Sequence, residues 1–241
     1  MSLTFVVILF ACKKDQTHPV TDPPIVPPDP SAKHILLKDI IAPQLPSPYY
    51  HFEYNTDSLP SKVDFASGFS IYDIVYSGNK IAEMRNNIIV NHDTLRYSYD
   101  SSGKLTMIKF INEANIAYRL IFFFYEGNII NKIEWNIKEG NVGYYIDRRV
   151  TFDFYSDSNL KTMTDYRAAY NGSPEQTLTT LFEQYDGKIN VDDFILTHDQ
   201  FHDHLFLPQG FRLQRNNPGK ETFTVNDSVL YTNDYSYVYN P

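Results

Sequence analysis

Cysteine is nearly absent from this chain: one residue, Cys12, in 241. A single thiol leaves no partner for an intramolecular disulfide, so the fold is held by its core. Tryptophan is equally scarce, at one residue. The ten glycines and 14 prolines are too few for a fibrous or wholly disordered chain. Cations are in deficit, with 21 Lys and Arg against 29 Asp and Glu and a net charge of −8. That balance excludes a nucleic-acid partner, which requires cations facing phosphates. It also excludes adsorption to an anionic lipid surface by charge alone. Reaction motifs are missing as well. There is no His-Glu-x-x-His, no Gly-x-Ser-x-Gly elbow and no phosphate loop; Asn217-Pro218-Gly219-Lys220 lacks the earlier glycine and reads as a turn.

Aromatic residues are abundant, at 15%, carried by 19 Tyr and 17 Phe. Rings of this kind pack well on a pleated surface and favour strands. Hydrophobic residues make up 42%, enough for a core in one large β domain or two small ones.

Residues 3–11 are apolar apart from Thr4. About nine residues at 1.5 Å each cannot cross a hydrocarbon core of about 30 Å, but they can form the apolar region of an export signal. Cys12 follows directly, then Lys13, Lys14 and Asp15. Leu9-Phe10-Ala11-Cys12 resembles a bacterial lipobox, in which the cysteine is acylated after the signal is removed. The resemblance implies lipidation at Cys12, a signal peptide over residues 1–11 and a membrane anchor. Two features depart from the pattern: no Lys or Arg precedes the apolar run, and Phe10 is bulky for its place. A start upstream of Met1 accounts for the first. Residues 16–48 then hold nine of the 14 prolines, which favour an extended spacer over 12–48. Within it, residues 34–41 form an apolar island, read as a first strand or a short helix.

From residue 49 to 241 the chain repeats an aromatic strand, a polar turn and a second strand. Six copies are visible, at 51–65, 72–84, 95–110, 121–135, 150–163 and 181–194, each with a Tyr before the turn: Tyr54, Tyr76, Tyr99, Tyr125, Tyr155 and Tyr185. Their turns carry Gly, Asn and Asp, which accept φ > 0 at low cost. Period-two alternation places Ile129, Asn131, Ile133, Trp135 and Ile137 on one face, and Ile130, Lys132, Glu134 and Asn136 on the other. The expected fold is all-β: an extended antiparallel meander of hairpins, with a curved or partly closed sheet among the outcomes this pattern allows.

Tyr97-Ser98-Tyr99-Asp100-Ser101-Ser102-Gly103-Lys104-Leu105 resembles a YD repeat of the kind found in RHS-type shells. The whole chain is similar to the YD-repeat-like lipoproteins of Bacteroidetes, a DUF4595-type group of unknown function. The resemblance implies an outer-membrane lipoprotein of the cell envelope, and it supplies no catalytic residues.

Two clusters could carry chemistry. His198, Asp199, His202 and His204 fall within seven residues; two His and a carboxylate can bind a transition metal. Asp192 and Asp193 form an adjacent carboxylate pair, but neighbouring strand residues point to opposite faces. Tyr144, Tyr145, Tyr235, Tyr237 and Tyr239 are candidate contacts for a ligand, since tyrosine faces stack on sugars and anchor interfaces. The first expectation is therefore a non-catalytic binding or structural module, with no cofactor and no catalytic residue. Its partner would be an envelope glycan, lipid or protein. The alternative is a metal-dependent enzyme, such as a hydrolase, built on residues 198–204.

Overall fold

The computed structural model describes residues 36, 38–41, 45–65, 68–88, 92–138, 140, 143–170, 172–190 and 213–239. The fold is all-β. Fourteen antiparallel strands form one sheet whose strand order is the chain order, without a crossover. A short β1 (Asp39–Ile40) lies against β2 (Tyr50–Tyr54) and opens the sheet. Five hairpins follow. They are β2 with β3 (Pro60–Phe65), β4 (Ser70–Ser77) with β5 (Lys80–Asn86), and β6 (Thr94–Tyr99) with β7 (Leu105–Ile111). Then come β8 (Ala117–Glu126) with β9 (Ile129–Lys138), and β10 (Tyr144–Phe154) with β11 (Leu160–Arg167). β12 (Gln176–Glu183), β13 (Lys220–Val225) and β14 (Ser228–Asp234) complete the sheet. β1 and β14 do not pair with each other, so the sheet is open among the described residues.

The turns follow from their residues. Ser77↔Lys80 and Glu126↔Ile129 close two-residue turns in which Gly78 and Gly127 take φ of 62° and 57°. The hairpins ending at Tyr54 and Tyr99 use longer turns held by a side chain. Asn55 Oδ1 accepts from the amides of Asp57 and Leu59, and Asp100 Oδ1 accepts from those of Ser102 and Lys104. Such Asx contacts replace ladder bonds where the chain reverses.

Each of the five hairpins also carries a bulge at the same place. The register slips immediately before Tyr54, Tyr76, Tyr99, Tyr125 and Phe154, leaving Ser61, Ala82, Thr106, Asn131 and Lys161 as extra residues in the second strands. A bulge bends its strand and increases the local twist. It also breaks period two, which corrects the alternation expected for β9. Ile130 is 4% exposed and joins Ile133 and Trp135 on the core face, while Ile129 is 43% exposed. The extra residue, Asn131, lies between the two halves of the strand and flips the register.

One face of the sheet is the core. A single cluster of buried side chains runs from Tyr50 and Phe52 on β2 to Phe182 on β12. Met84, Ile108, Ile121, Ile133 and Val150 are fully buried. A flat single layer would leave these side chains open on one side. Leu213, which lies outside the strands, is fully buried in the same cluster.

The sixth sequence copy does not fold as a hairpin of its own. β12 pairs with β13, and the segment after Asp186-Gly187 makes an isolated bridge, Ile189↔Asn216. Side-chain amides pin this return. Asn159 Nδ2 donates to Asn216 Oδ1 at 3.0 Å, and the Asn216 amide donates to Asn159 Oδ1 at 2.8 Å. Gly219 is needed there, because a Cβ would meet the Gln184 carbonyl oxygen at 2.7 Å.

Candidate functional site

All five hairpin turns lie along one edge of the sheet, and the repeated tyrosines line that edge. Main-chain pairing between successive hairpins stops short of it, at Lys62↔Asp73, Glu83↔Arg96 and Met107↔Phe122. Three residues beyond each stop, a tyrosine hydroxyl restores the link to the previous hairpin. Tyr76 donates to the Pro60 carbonyl at 2.8 Å, Tyr99 to Ile81 at 2.9 Å and Tyr125 to Leu105 at 3.0 Å. Tyr185 does the same to Leu160 at 2.6 Å. The lysine before the accepting residue covers the incoming ring twice: Lys80 over Tyr99 and Lys104 over Tyr125, at 5.2 and 5.4 Å from the ring centres. The Gly-x-Lys and Gly-Lys turns thus serve the next hairpin as well as their own. Burial pushes the hydroxyls of Tyr76 and Tyr99 up to about 12.

The fifth hairpin departs from the series. Its register places Phe154, not Tyr155, opposite Leu160, as Tyr125 stands opposite Ile130. Phenylalanine has no hydroxyl to give, and Tyr155 donates the other way, to the Phe182 carbonyl at 3.1 Å. The sequence count of one tyrosine per turn misses this one-residue displacement.

The tyrosines singled out in the sequence fall at two opposite edges. Tyr144 and Tyr145 begin β10, at the edge away from the turns; Tyr144 donates to the Ala117 carbonyl at 2.8 Å. Tyr235, Tyr237 and Tyr239 follow β14 past the turn edge, outside any strand. Their rings are 40–46% exposed, but their hydroxyls are engaged within the chain. Tyr235 donates to Glu221 at 2.5 Å, Tyr237 to the Pro218 carbonyl at 2.8 Å, and Tyr239 to Asp186. Tyr237 and Tyr239 stack, with ring centres 6.4 Å apart. The two tyrosine groups therefore do not form one surface. Cys12, His198, Asp199, His202 and His204 lie outside the described residues, as do Asp192 and Asp193. Among the described residues, no group of three or more His, Cys, Asp and Glu is placed to hold a metal ion.

The face opposite the core is charged. Lys62 pairs with Glu53 at 3.2 Å, and Glu134 lies between Lys132 at 3.0 Å and Arg149 at 2.8 Å. Burial pushes the Glu134 carboxyl up, but hydrogen bonds from Lys132 and Arg149 outweigh it and hold the group below its ordinary value. A cleft of about 350 Å³ opens on this face over β4–β7. Its charged lining is Glu83, Arg85, Arg96 and Lys109. Arg85 donates to Glu83 Oε2 from Nε at 2.8 Å and Nη2 at 2.6 Å, and Arg96 Nε donates to Oε1 at 3.0 Å. The Arg85 contact, with help from Arg96, holds the Glu83 carboxyl below its ordinary value. Nothing along the chain marks this cluster. Glu83, Arg96 and Lys109 meet because the ladder sets Glu83 opposite Arg96 and Arg96 opposite Lys109.

No known family and no curated protein matches the chain. Among solved structures, the chain is similar to a porin-like protein from Bacteroides vulgatus ATCC 8482. The identity is 17% over 79% of this chain and 81% of that one, with a TM-score of 0.49. It is also similar to a porin-like protein from Bacteroides uniformis ATCC 8492. There the identity is 12% over 79% of this chain and 77% of that one, with a TM-score of 0.53. At such identity the second likeness is one of fold.

Proposed function

We propose that this chain is a cell-envelope lipoprotein, anchored in the outer membrane through a lipid on Cys12, and that its sheet is a non-catalytic binding or structural module. The observation that carries this reading is the division of labour between the sheet's two faces. A barrel that crosses a membrane turns an apolar band toward lipid and keeps its lumen polar. This sheet instead has one apolar face and one charged face. The core face is packed with Trp135, Met84, Phe123 and Ile133, and the opposite face carries Glu83, Arg96, Lys109, Lys132, Glu134 and Arg149. That arrangement supports a module standing in water and held near a membrane, rather than a pore. The likeness in fold to the porin-like Bacteroides uniformis protein supports an envelope setting. A lipobox followed by a proline-rich spacer supports the anchor, since several acyl chains at about 0.8 kcal/mol per buried CH₂ hold a protein durably.

The test is intact-mass spectrometry of the protein from native membranes, beside a Cys12→Ser control. Cleavage before Cys12 with added acyl mass, absent in the control, is the expected result. An unmodified chain in the soluble fraction would overturn the anchor.

A further inference from the structure

We propose that the cleft on the open face of β4–β7 binds a phosphate monoester group. The inference rests on the reading of this chain as a binding module, but not on its lipid anchor. Three cations, Arg85, Arg96 and Lys109, line the cleft against one carboxylate, Glu83. Both arginines are already turned to Glu83. Lys109 has no carboxylate partner among the described residues, although it stands directly opposite Arg96 in the ladder. Side chains at directly opposed positions lie about 4.5–5.5 Å apart at Cβ, and like charges there destabilise a sheet. Asp73, opposite Arg85, gives its carboxylate to the Asn87 side-chain amide at 2.6 Å and makes no ion pair with Arg85.

The cleft thus keeps two positive charges unbalanced on a chain whose net charge is −8. A phosphate monoester carries about −1.5 to −2 at neutral pH and three acceptor oxygens, which matches that excess. One carboxylate would match half of it. The guanidinium atoms not spent on Glu83 and the Lys109 ammonium are donors only, as an oxyanion requires. Ser98 adds a hydroxyl to the rim. Glu83 fixes the two arginines when the cleft is empty and competes with the ligand for them. Its role gives the proposal a signature that a structural ion pair lacks.

The experiment is calorimetric titration of the full-length Cys12→Ser chain, so that acylation plays no part. The probes are inorganic phosphate, glucose 1-phosphate, and phosphatidylcholine vesicles with and without phosphatidic acid. Saturable binding to the first two marks a free or sugar-borne phosphate, and binding confined to phosphatidic-acid vesicles marks a lipid headgroup. Arg96→Gln with Lys109→Gln should weaken either by about tenfold or more, from the loss of charge-assisted hydrogen bonds. Glu83→Gln, which releases both guanidinium groups, should tighten it. No saturable binding in any arm overturns the proposal, and so does binding that both variants leave unchanged. Neither result bears on the modification of Cys12, which the mass measurement decides separately.

Discussion

Arg148 and Asp165 form a two-pronged ion pair inside the apolar face of the sheet. Nε and Nη2 of the arginine each donate to a carboxylate oxygen at 2.7 Å, and the two side chains are 9% and 4% exposed. The guanidinium also lies 4.9 Å from the Trp135 ring centre, and Arg167 reaches the same carboxylate at 2.9 Å. The pair joins β10 to β11, where neighbouring core positions are filled by Val150, Phe152 and Met163.

Removing one partner should be far worse than removing both. Asp165→Ala removes the buried carboxylate that both prongs of the Arg148 guanidinium engage, a cost of about 3–5 kcal/mol. Replacing Arg148 by Met and Asp165 by Leu together should cost much less, because a well-packed apolar pair removes the desolvation burden. Urea unfolding of the three chains decides it, and equal losses for the single and double variants would refute this account.

The tyrosine series can be run in both directions. Tyr99→Phe deletes the bond to the Ile81 carbonyl and should destabilise the fold by about 1 kcal/mol. Phe154→Tyr supplies the hydroxyl that the fifth hairpin lacks, aimed at the Ile130 carbonyl, and should stabilise it by about 0.5–1.5 kcal/mol. Thermal unfolding measured on both is sufficient; a neutral or harmful Phe154→Tyr would mean the register equivalence does not extend to the ring.

Alkali should loosen the same edge. The folded hydroxyls of Tyr76 and Tyr99 hold their protons to about pH 12, whereas unfolded tyrosines release them near 10. Above pH 10 the unfolded state therefore binds fewer protons, and stability falls. The contribution is whole below pH 10 and is lost as pH climbs through 12. Near-ultraviolet tyrosinate absorbance followed during denaturant titrations at stepped pH would reveal the slope, and Tyr76→Phe with Tyr99→Phe should flatten it.

β9 offers a direct test of the bulge. Ile130→Ala empties a core position and should cost about 2–4 kcal/mol, whereas Ile129→Ala on the surface should change stability by about 0.5 kcal/mol or less. The reverse ranking is what unbroken alternation demands.

That strand also marks where sequence reading stops. The hairpins, their turns and the all-β meander were legible because Gly, Asn and Asp recur after an aromatic strand at intervals of 22 to 30 residues. The bulges were not, because Ser61, Ala82, Thr106, Asn131 and Lys161 share no chemical character. They are defined by what they fail to pair with, which only the register reveals. The same limit hid the cleft. Glu83, Arg96 and Lys109 sit 13 residues apart on three strands, a spacing that means nothing until adjacent strands are aligned. Tyr235, Tyr237 and Tyr239 stand out in the sequence as candidate ligand contacts, and only the structure shows that their hydroxyls donate to Glu221, the Pro218 carbonyl and Asp186.

Strand order that never departs from chain order has an evolutionary consequence. In the ladder, each hairpin pairs only with its predecessor and its successor. A duplicated hairpin would arrive with a tyrosine to dock on the copy before it and a carbonyl to receive the copy after it. A unit gained or lost would thus leave intact the rules that join one hairpin to the next.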